Sequence, residues 1–490
     1  MILFLIVLPA FGSFLAFLIR NDTLRRALLI LIVSVHAGTT ACTWFVPAAP
    51  VFDGWMMLDA PGRLILNIVS GLFFAASFYV IAYLHREGRR AITDSEEAGL
   101  FFVNAPEAIF IGCLLLLLSA MTLVTVSQHL GLFWVAMEAS TLATGSLIYF
   151  HRHHRSLEAA WKYVLIGSVG IAMALLGNFF LATAGSFSKG IGLLLPDLVR
   201  RAPELNLAWL KAATIFLFVG YGTKMGLAPM HTWKPEAYSE APAVVSALLA
   251  GALTNCAFLG VLRTQQVCAA AGHGAFGQDL LILFGLFSMG VGAAFIVGQN
   301  DYKRMLAYSS VEHMGILVLG VGIGGLGVYG ALFHALNNAL AKPMLFLVAS
   351  NIRSVYKTRS APAVTGVLKV LPATGVLWIV GFLATTGFPP FGLFLSEFII
   401  FKASLDQGHP VLAGIFLSFL AIVFIGVATI VLRMAQGTPP KEIAAYPIRE
   451  SIFFILPPAL LGITVLMLGL FIPPSLNDLL KEAARELGGS

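Results

Sequence analysis

Long apolar runs separated by short polar segments dominate the chain. A helix needs about 20 mostly apolar residues to cross a bilayer, and the runs lack the alternation of β-barrel strands. The pattern therefore predicts an all-α polytopic membrane protein with about fourteen transmembrane helices. The predicted spans are 2–19, 27–46, 64–84, 107–127, 130–150, 160–184, 208–229, 242–262, 279–298, 305–324, 326–350, 373–400, 410–432 and 452–473.

Glycine and proline interrupt the seventh and twelfth predicted spans, at 226–229 and 387–390. Proline inside a helix removes a hydrogen bond, and a broken span is tolerated only where its backbone faces protein or a polar cavity. Alignment of the two segments places Glu236 on Glu397, which favours two inverted repeats with ion sites at the breaks. Two unrelated proline kinks are the alternative.

Composition agrees with a lipid environment, because only 11% of the 490 residues are charged and the mean hydropathy is +0.89. Soluble domains carry about 25% charged residues. Basic residues cluster in the odd-numbered loops, for example at 86–90 and 353–359, with the sixth loop and its Lys189 as the exception. Positive residues favour the cytoplasmic side, so both termini are expected outside.

Motifs for bound groups are missing from the sequence. None of the four cysteines forms a C-x-x-C pair, and neither GxGxxG nor a Walker loop occurs. We expect no metal, no cofactor and no nucleic-acid partner, and no catalytic redox centre within this chain.

Ionisable residues inside the spans are the candidate functional groups, because a charge at the bilayer centre costs about 3 kcal/mol and usually marks an ion path. His334, Asn338 and Lys342 follow one another at intervals of four residues, so they share one face of the eleventh predicted span. Static hydrogen-bonded groups or ion pairs are the alternative reading. The candidates are Glu138, Lys224, His231, Lys234, Glu236, His313, His334, Lys342 and Glu397.

Three stretches resemble a known family: KMGLAPMHTWKPEAYSEAPAVVS at 224–246, DYKRMLAYSSVEHMG at 301–315 and LFHALNNALAKPMLFL at 332–347. They are similar to the proton-conducting, antiporter-like subunits of complex I, of Mrp antiporters and of energy-converting hydrogenases, with the hydrogenase-4 type most similar. The resemblance implies fourteen spans in two inverted five-helix repeats. It also implies a division into 1–106, a three-helix segment; 107–265, the first repeat; 276–434, the second; and 435–490, a last helix with a short amphipathic tail.

The resemblance also implies roles for individual residues. Glu138 and Lys224 would form an ion pair, His334 and Lys342 a central axis, and Glu397 the exit. Asn255 stands where complex I relatives often carry lysine or histidine, and an amide cannot titrate. The proton pathway implied by these matches comprises Glu138, Lys224, His231, Lys234, Asn255, His334, Lys342 and Glu397.

Two functions follow as hypotheses. The first is a proton-translocating subunit of a redox-driven complex in a prokaryotic inner membrane. Its partners would be other membrane subunits, a peripheral hydrogenase-like or dehydrogenase-like arm, and the lipid bilayer. The second is a subunit of a cation/proton antiporter or ion-driven uptake system without a redox partner. A scaffold that has lost conduction is disfavoured, because the acidic and lysine positions are intact.

Overall fold

The fold is described from a computed structural model over residues 1–97, 106–187, 190–444 and 449–489. Over these ranges the chain is built from helices, with four isolated β-bridges between loop positions. The predicted loop position Lys189 lies outside the described residues. The main helices, numbered here without the short turns, are α1 (Ile2–Leu18), α2 (Asp22–Cys42), α3 (Ala60–Glu97), α4 (Glu107–Val126), α5 (Leu130–Ile148), α6 (His154–Ser186), α7 (Leu207–Met225), α8 (Trp233–Glu240), α9 (Ala243–Leu248), α10 (Thr254–Ala270), α11 (Gly274–Ile296), α12 (Tyr302–Ile323), α13 (Leu326–Tyr356), α14 (Pro372–Thr385), α15 (Gly392–Asp406), α16 (Pro410–Ala435), α17 (Ile452–Leu470) and α18 (Pro474–Glu486).

In the described part of the chain, eleven helices are long and apolar enough to cross a membrane. They confirm a polytopic all-α protein. α1 and α14 are apolar but shorter, and α7 is continued by α8 across a break. These stretches coincide with the first, seventh and twelfth predicted spans, so the total of fourteen stays a prediction.

Both predicted helix interruptions are present. α7 ends at Met225, and α8 begins only at Trp233. α14 ends at Thr385, and α15 begins at Gly392. Each break opens with a left-handed glycine, Gly226 at φ 81° and Gly387 at φ 63°, a conformation that costs other residues about 1–2 kcal/mol.

Burial separates central from peripheral helices. α12 and the stretch from α9 through α10 are buried throughout their apolar windows, whereas α2, α16 and α17 bury about one third of theirs. Large apolar side chains such as Phe179 (59% exposed) and Leu283 (63%) cover the outer surface. Apolar groups outside and polar groups inside are the arrangement expected in lipid.

The amphipathic tail is present as α18, and its apolar face packs on protein. Leu479 and Leu480 are buried, while the Tyr329 hydroxyl donates to Asn477 (2.9 Å) and Gln266 donates to the Glu486 carbonyl (2.8 Å). A helix lying on the membrane surface, as its amphipathic pattern alone suggests, would place this face against lipid. The structure instead docks it on α3, α10 and α13.

Candidate functional site

Lys224, near the end of α7, points into a pocket made by α5 and α6. Its side chain is fully buried, and its Nζ donates to the Thr141 hydroxyl (2.5 Å) and to the Tyr163 hydroxyl (2.8 Å). Gly167 on α6 lines the pocket, since a Cβ there would lie 3.3 Å from the Thr141 Cγ2 and 3.7 Å from the ammonium. Hydroxyl groups can both accept from an ammonium and pass a proton onward.

Glu138, on α5, lies at the outer edge of the same pocket and is only half-buried. Its Oε1 accepts from the Ser168 hydroxyl (2.7 Å), and its Oε2 is buried without a hydrogen-bond partner among the described residues. Both members of the predicted ion pair are therefore bonded to hydroxyl groups in this arrangement. An approach of the carboxylate to the ammonium would satisfy the open oxygen.

Lys234, on α8, closes the first helix break. Its fully buried Nζ donates to the carbonyls of Met225 (2.9 Å) and Ser310 (3.4 Å). The last carbonyls of a helix lack partners within that helix, so the ammonium also stabilises the negative end of α7. A Cβ at Gly226 would meet the Lys234 side chain at 2.6 Å, which explains the glycine.

Of the remaining predicted residues near this break, His231 lies half-buried in the segment between α7 and α8. Glu236 lies at the edge and pairs with Lys162 (2.8 Å). Asn255 is fully buried at the start of α10, just after a π-helical turn at Leu249–Leu253. Its Oδ1 has no hydrogen-bond partner in the described part of the chain, and π turns are frequent at functional sites.

Lys342, on α13, holds the centre of the interior. Its Nζ donates to the Ser309 hydroxyl of α12 (2.5 Å), and its side chain is fully buried. Asn338, one turn earlier, leaves both side-chain polar atoms unpartnered among the described residues. Glu312 is buried on α12 and carries an unpartnered Oε2. Buried polar atoms of this kind are normally satisfied by ordered water.

His313, His334 and Glu397 form a third group of polar side chains in the interior. The His313 Nδ1 lies 2.9 Å from the His334 Nε2, and the His334 Nδ1 lies 2.9 Å from the Ser396 hydroxyl. Glu397 supplies a carboxylate, such that one ligand atom from each of the three residues lies within 4.8 Å of the others. A cavity of about 400 Å³ between α15 and α16 reaches Glu397 from the surface.

Sequence reasoning missed several of these groups. Glu312 stands directly before His313 in an apolar helix, and an acid beside a histidine was a readable signal. Tyr163 and Thr141 gave no such signal, because hydroxyl residues are common in helices and only the fold brings these two to Lys224. Lys303 is likewise buried, and it donates to the carbonyls of Ser239 (2.8 Å) and Ala241 (2.9 Å) at the C-terminal end of α8.

Comparisons with known proteins define the class. Residues 127–424 match the family described as NADH:quinone oxidoreductase/Mrp antiporter, TM. The chain is 34% identical over 366 residues to the hydrogenase-4 component F homolog of Methylacidiphilum infernorum (isolate V4), covering 73% of this chain and 75% of that protein. The chain therefore belongs to the NADH:quinone oxidoreductase/Mrp antiporter membrane-subunit family.

Solved structures share the fold. A chain of the membrane-bound sulfane sulfur reductase, an archaeal respiratory membrane complex, superimposes with a TM-score of 0.85 over 100% of this chain and 98% of its own, at 19% identity. A chain of the Mrp complex from Dietzia sp. DQ12-45-1b gives a TM-score of 0.83 over 99% and 97%, at 18% identity. Because a respiratory complex and an Mrp complex both provide matches, the fold is common to both hypotheses.

Proposed function

We propose that this chain moves protons across a prokaryotic inner membrane as one membrane subunit of a redox-driven complex. The observation that carries the proposal is the series of titratable and hydroxyl groups that runs from the half-buried Glu138 and Ser168 into the fully buried helical interior. The series is Glu138, Ser168, Tyr163, Thr141, Lys224, Lys234, Ser309, Lys342, Glu312, His313, His334 and Glu397. Each ionisable group inside a membrane protein costs free energy of insertion, and groups of this kind usually mark an ion or proton path.

Protons enter at the Glu138 end in this scheme. When Glu138 lies near Lys224, its charge stabilises the ammonium; when the carboxylate moves away, desolvation favours loss of the proton. At an effective dielectric constant near 20, an ion pair gains about 4 kcal/mol at 4 Å and about 2 kcal/mol at 8 Å. The difference of about 2 kcal/mol is comparable with the roughly 2.3 kcal/mol that 100 mV imposes on one charge. A modest movement can therefore drive the transfer.

The interior groups continue the route. Lys234 and Lys342 are joined through α12, which supplies the Ser310 carbonyl to one and the Ser309 hydroxyl to the other. Water bonded to the open oxygens of Asn255, Asn338 and other buried residues would connect the longer steps. Asn255 orients such water without titrating, and Glu397 delivers the proton towards the surface cavity.

Partner subunits complete the site. Glu138 is half-buried, and Glu397 ends at a surface cavity, so both ends of the route meet the outer face of the chain. Neighbouring membrane subunits covering these ends would remove the carboxylates from lipid. A peripheral hydrogenase-like or dehydrogenase-like arm, suggested by the hydrogenase-4 relative, would supply the driving reaction.

The decisive test exchanges Lys224. Lys224→Ala should abolish proton uptake by vesicles that hold the assembled complex, and Lys224→Arg should fail nearly as badly, because guanidinium does not release its proton in proteins. Lys211→Arg, on the same helix, is the matched control and should pump normally. Full pumping by Lys224→Arg would show that Lys224 supplies only fixed charge.

A cation/proton antiporter subunit is the second candidate, favoured by the family description and by the Mrp match. Iron analysis of the complex purified through this chain distinguishes the two. Stoichiometric iron, with hydrogenase-like or dehydrogenase-like proteins in the same particle, supports the redox complex. An iron-free particle that dissipates a proton gradient on addition of Na⁺ supports the antiporter.

A further inference from the structure

His313, His334 and Glu397 come from three separate helices and converge in the interior. Their side chains are 1%, 0% and 6% exposed, and one ligand atom from each lies within 4.8 Å of the other two. No spacing in the sequence links them, which is why the sequence predicted no metal. Two imidazoles and one carboxylate are a common ligand set for Zn²⁺.

Hydrogen bonds fix the tautomer of His334. The Ser396 hydroxyl donates its proton to the Leu393 carbonyl (2.8 Å), so its oxygen must accept from the His334 Nδ1 (2.9 Å). The neutral ring then carries its lone pair on Nε2, the atom that accepts from the His313 Nδ1 at 2.9 Å. A ligand histidine whose other nitrogen donates to a fixed partner is oriented for metal binding.

His313 has a complementary arrangement. Its Nδ1 currently donates to His334, and its Nε2 lies 3.5 Å from the Glu312 Oε2, with neither of these last two atoms hydrogen-bonded within the described residues. If the ring proton moves from Nδ1 to Nε2, the new Nε2–H can donate a hydrogen bond to the Glu312 Oε2, and Nδ1 gains a free lone pair. No proton is lost from His313 in this exchange, and the carboxylate becomes the outer partner that ligand histidines usually have.

The carboxylate of the third residue is also available. The Glu397 Oε1 is buried and lacks a hydrogen-bond partner in the described part of the chain. Ligand atoms around tetrahedral Zn²⁺ with bonds near 2.0–2.1 Å are about 3.3 Å apart, so shifts of about 1.5 Å or less bring the three atoms into place. A water molecule would fill the fourth position, as in zinc sites with three protein ligands.

We propose that His313, His334 and Glu397 form a binding site for a divalent transition-metal cation of the Zn²⁺ class, and that the bound ion blocks the proton route. The blocking rests on the proposed function, because His334 and Glu397 are taken there as steps of the route. The binding rests on the side-chain geometry alone.

The test is calorimetric titration of the full chain in lipid nanodiscs with Zn²⁺ after chelator treatment, with Co²⁺ absorption reporting tetrahedral coordination. Wild type should bind one ion per chain at this site. His334→Gln and Glu397→Gln should each weaken binding by at least about 100-fold, and Ser396→Ala, which leaves every ligand in place, by about 10–100-fold. His409→Gln, an exposed histidine before α16, is the matched control and should bind as wild type does.

Binding that is equally tight in wild type and in both ligand variants overturns the site, as does an absence of binding in wild type. If either ligand variant fails to fold, Ser396→Ala and the other variant decide. Zn²⁺ should also stop proton uptake by vesicles holding the complex. Tight binding with normal Lys224-dependent uptake would refute the block and leave the proposed function intact. Binding in a chain whose uptake does not depend on Lys224 would refute the proposed function and leave the site.

Discussion

Gly387 provides a test of how accurately the Glu397 carboxylate must be placed. A Cβ added to this glycine would overlap the Glu397 Oε2 and lie 2.9 Å from its Cδ and 3.3 Å from its Oε1. The residue also has φ 63°, a region that L side chains rarely adopt. Gly387→Ala therefore imposes two separate effects, a backbone cost and a displacement of the acid.

The two effects differ in size and in consequence. The left-handed backbone costs about 1–2 kcal/mol for a non-glycine residue, which lowers stability but does not change the route. The overlap forces the carboxylate to move by about 1 Å, and misplacement on that scale can reduce a positioned reaction by about 100-fold. Proton uptake should thus fall far more than stability does.

Gly408→Ala is the matched control, because Gly408 has φ 77° and nothing lies within 4 Å of an added Cβ. Thermal unfolding in detergent should show similar losses for the two variants. Proton uptake by vesicles with the assembled complex should be lost only in Gly387→Ala. Equal uptake by the two variants would refute the role of carboxylate position.

Three further predictions concern the first helix break, the membrane orientation and the start of α14. Gly226→Ala should impair proton uptake by displacing the Lys234 side chain. Gly272→Ala is the control and should not impair it, because Gly272 also has a positive φ of 77° but has open space around an added Cβ. Equal losses of uptake in the two variants would show that Gly226→Ala acts only through the backbone. Cysteines placed in the 353–359 loop should resist impermeant labelling from outside intact cells, and ready labelling would reverse the predicted orientation. Glu450→Gln should lower thermal stability by about 1–2 kcal/mol, because the carboxylate caps the start of α14 through two backbone N–H groups at 2.8 Å; an unchanged Tm would contradict this.

Helices and their breaks were predictable because they depend on local signals. Twenty apolar residues specify a span, and the glycine–proline segments at 226–229 and 387–390 specify an interruption without any knowledge of neighbours. The tail helix was predictable for the same reason. Its docking was not, because an apolar face fits a lipid surface and a protein groove equally well in sequence.

The features of the site that the sequence did not predict depend on contacts between helices. Lys224 and Lys342 could be singled out as charges in apolar spans, but their hydroxyl partners Tyr163 and Ser309 lie on other helices and look ordinary in sequence. The meeting of His313 with His334 joins positions 21 residues apart on antiparallel neighbours. Such pairings depend on helix rotation and register, which a hydropathy pattern leaves open.

The docked tail also constrains how the chain is made. Arg63 on α3 meets Glu482 on α18 (3.5 Å), a pair separated by 419 positions. At synthesis rates of about 5–20 residues per second, α3 is inserted roughly 20–80 s before its partner exists. The groove that receives Leu479 and Leu480 is complete only after α13 has been made, and it stays open until α18 follows, so completion of the interior is a late event of biogenesis. A chain that ends before its last helix would expose an unfilled apolar groove to cellular chaperones and proteases.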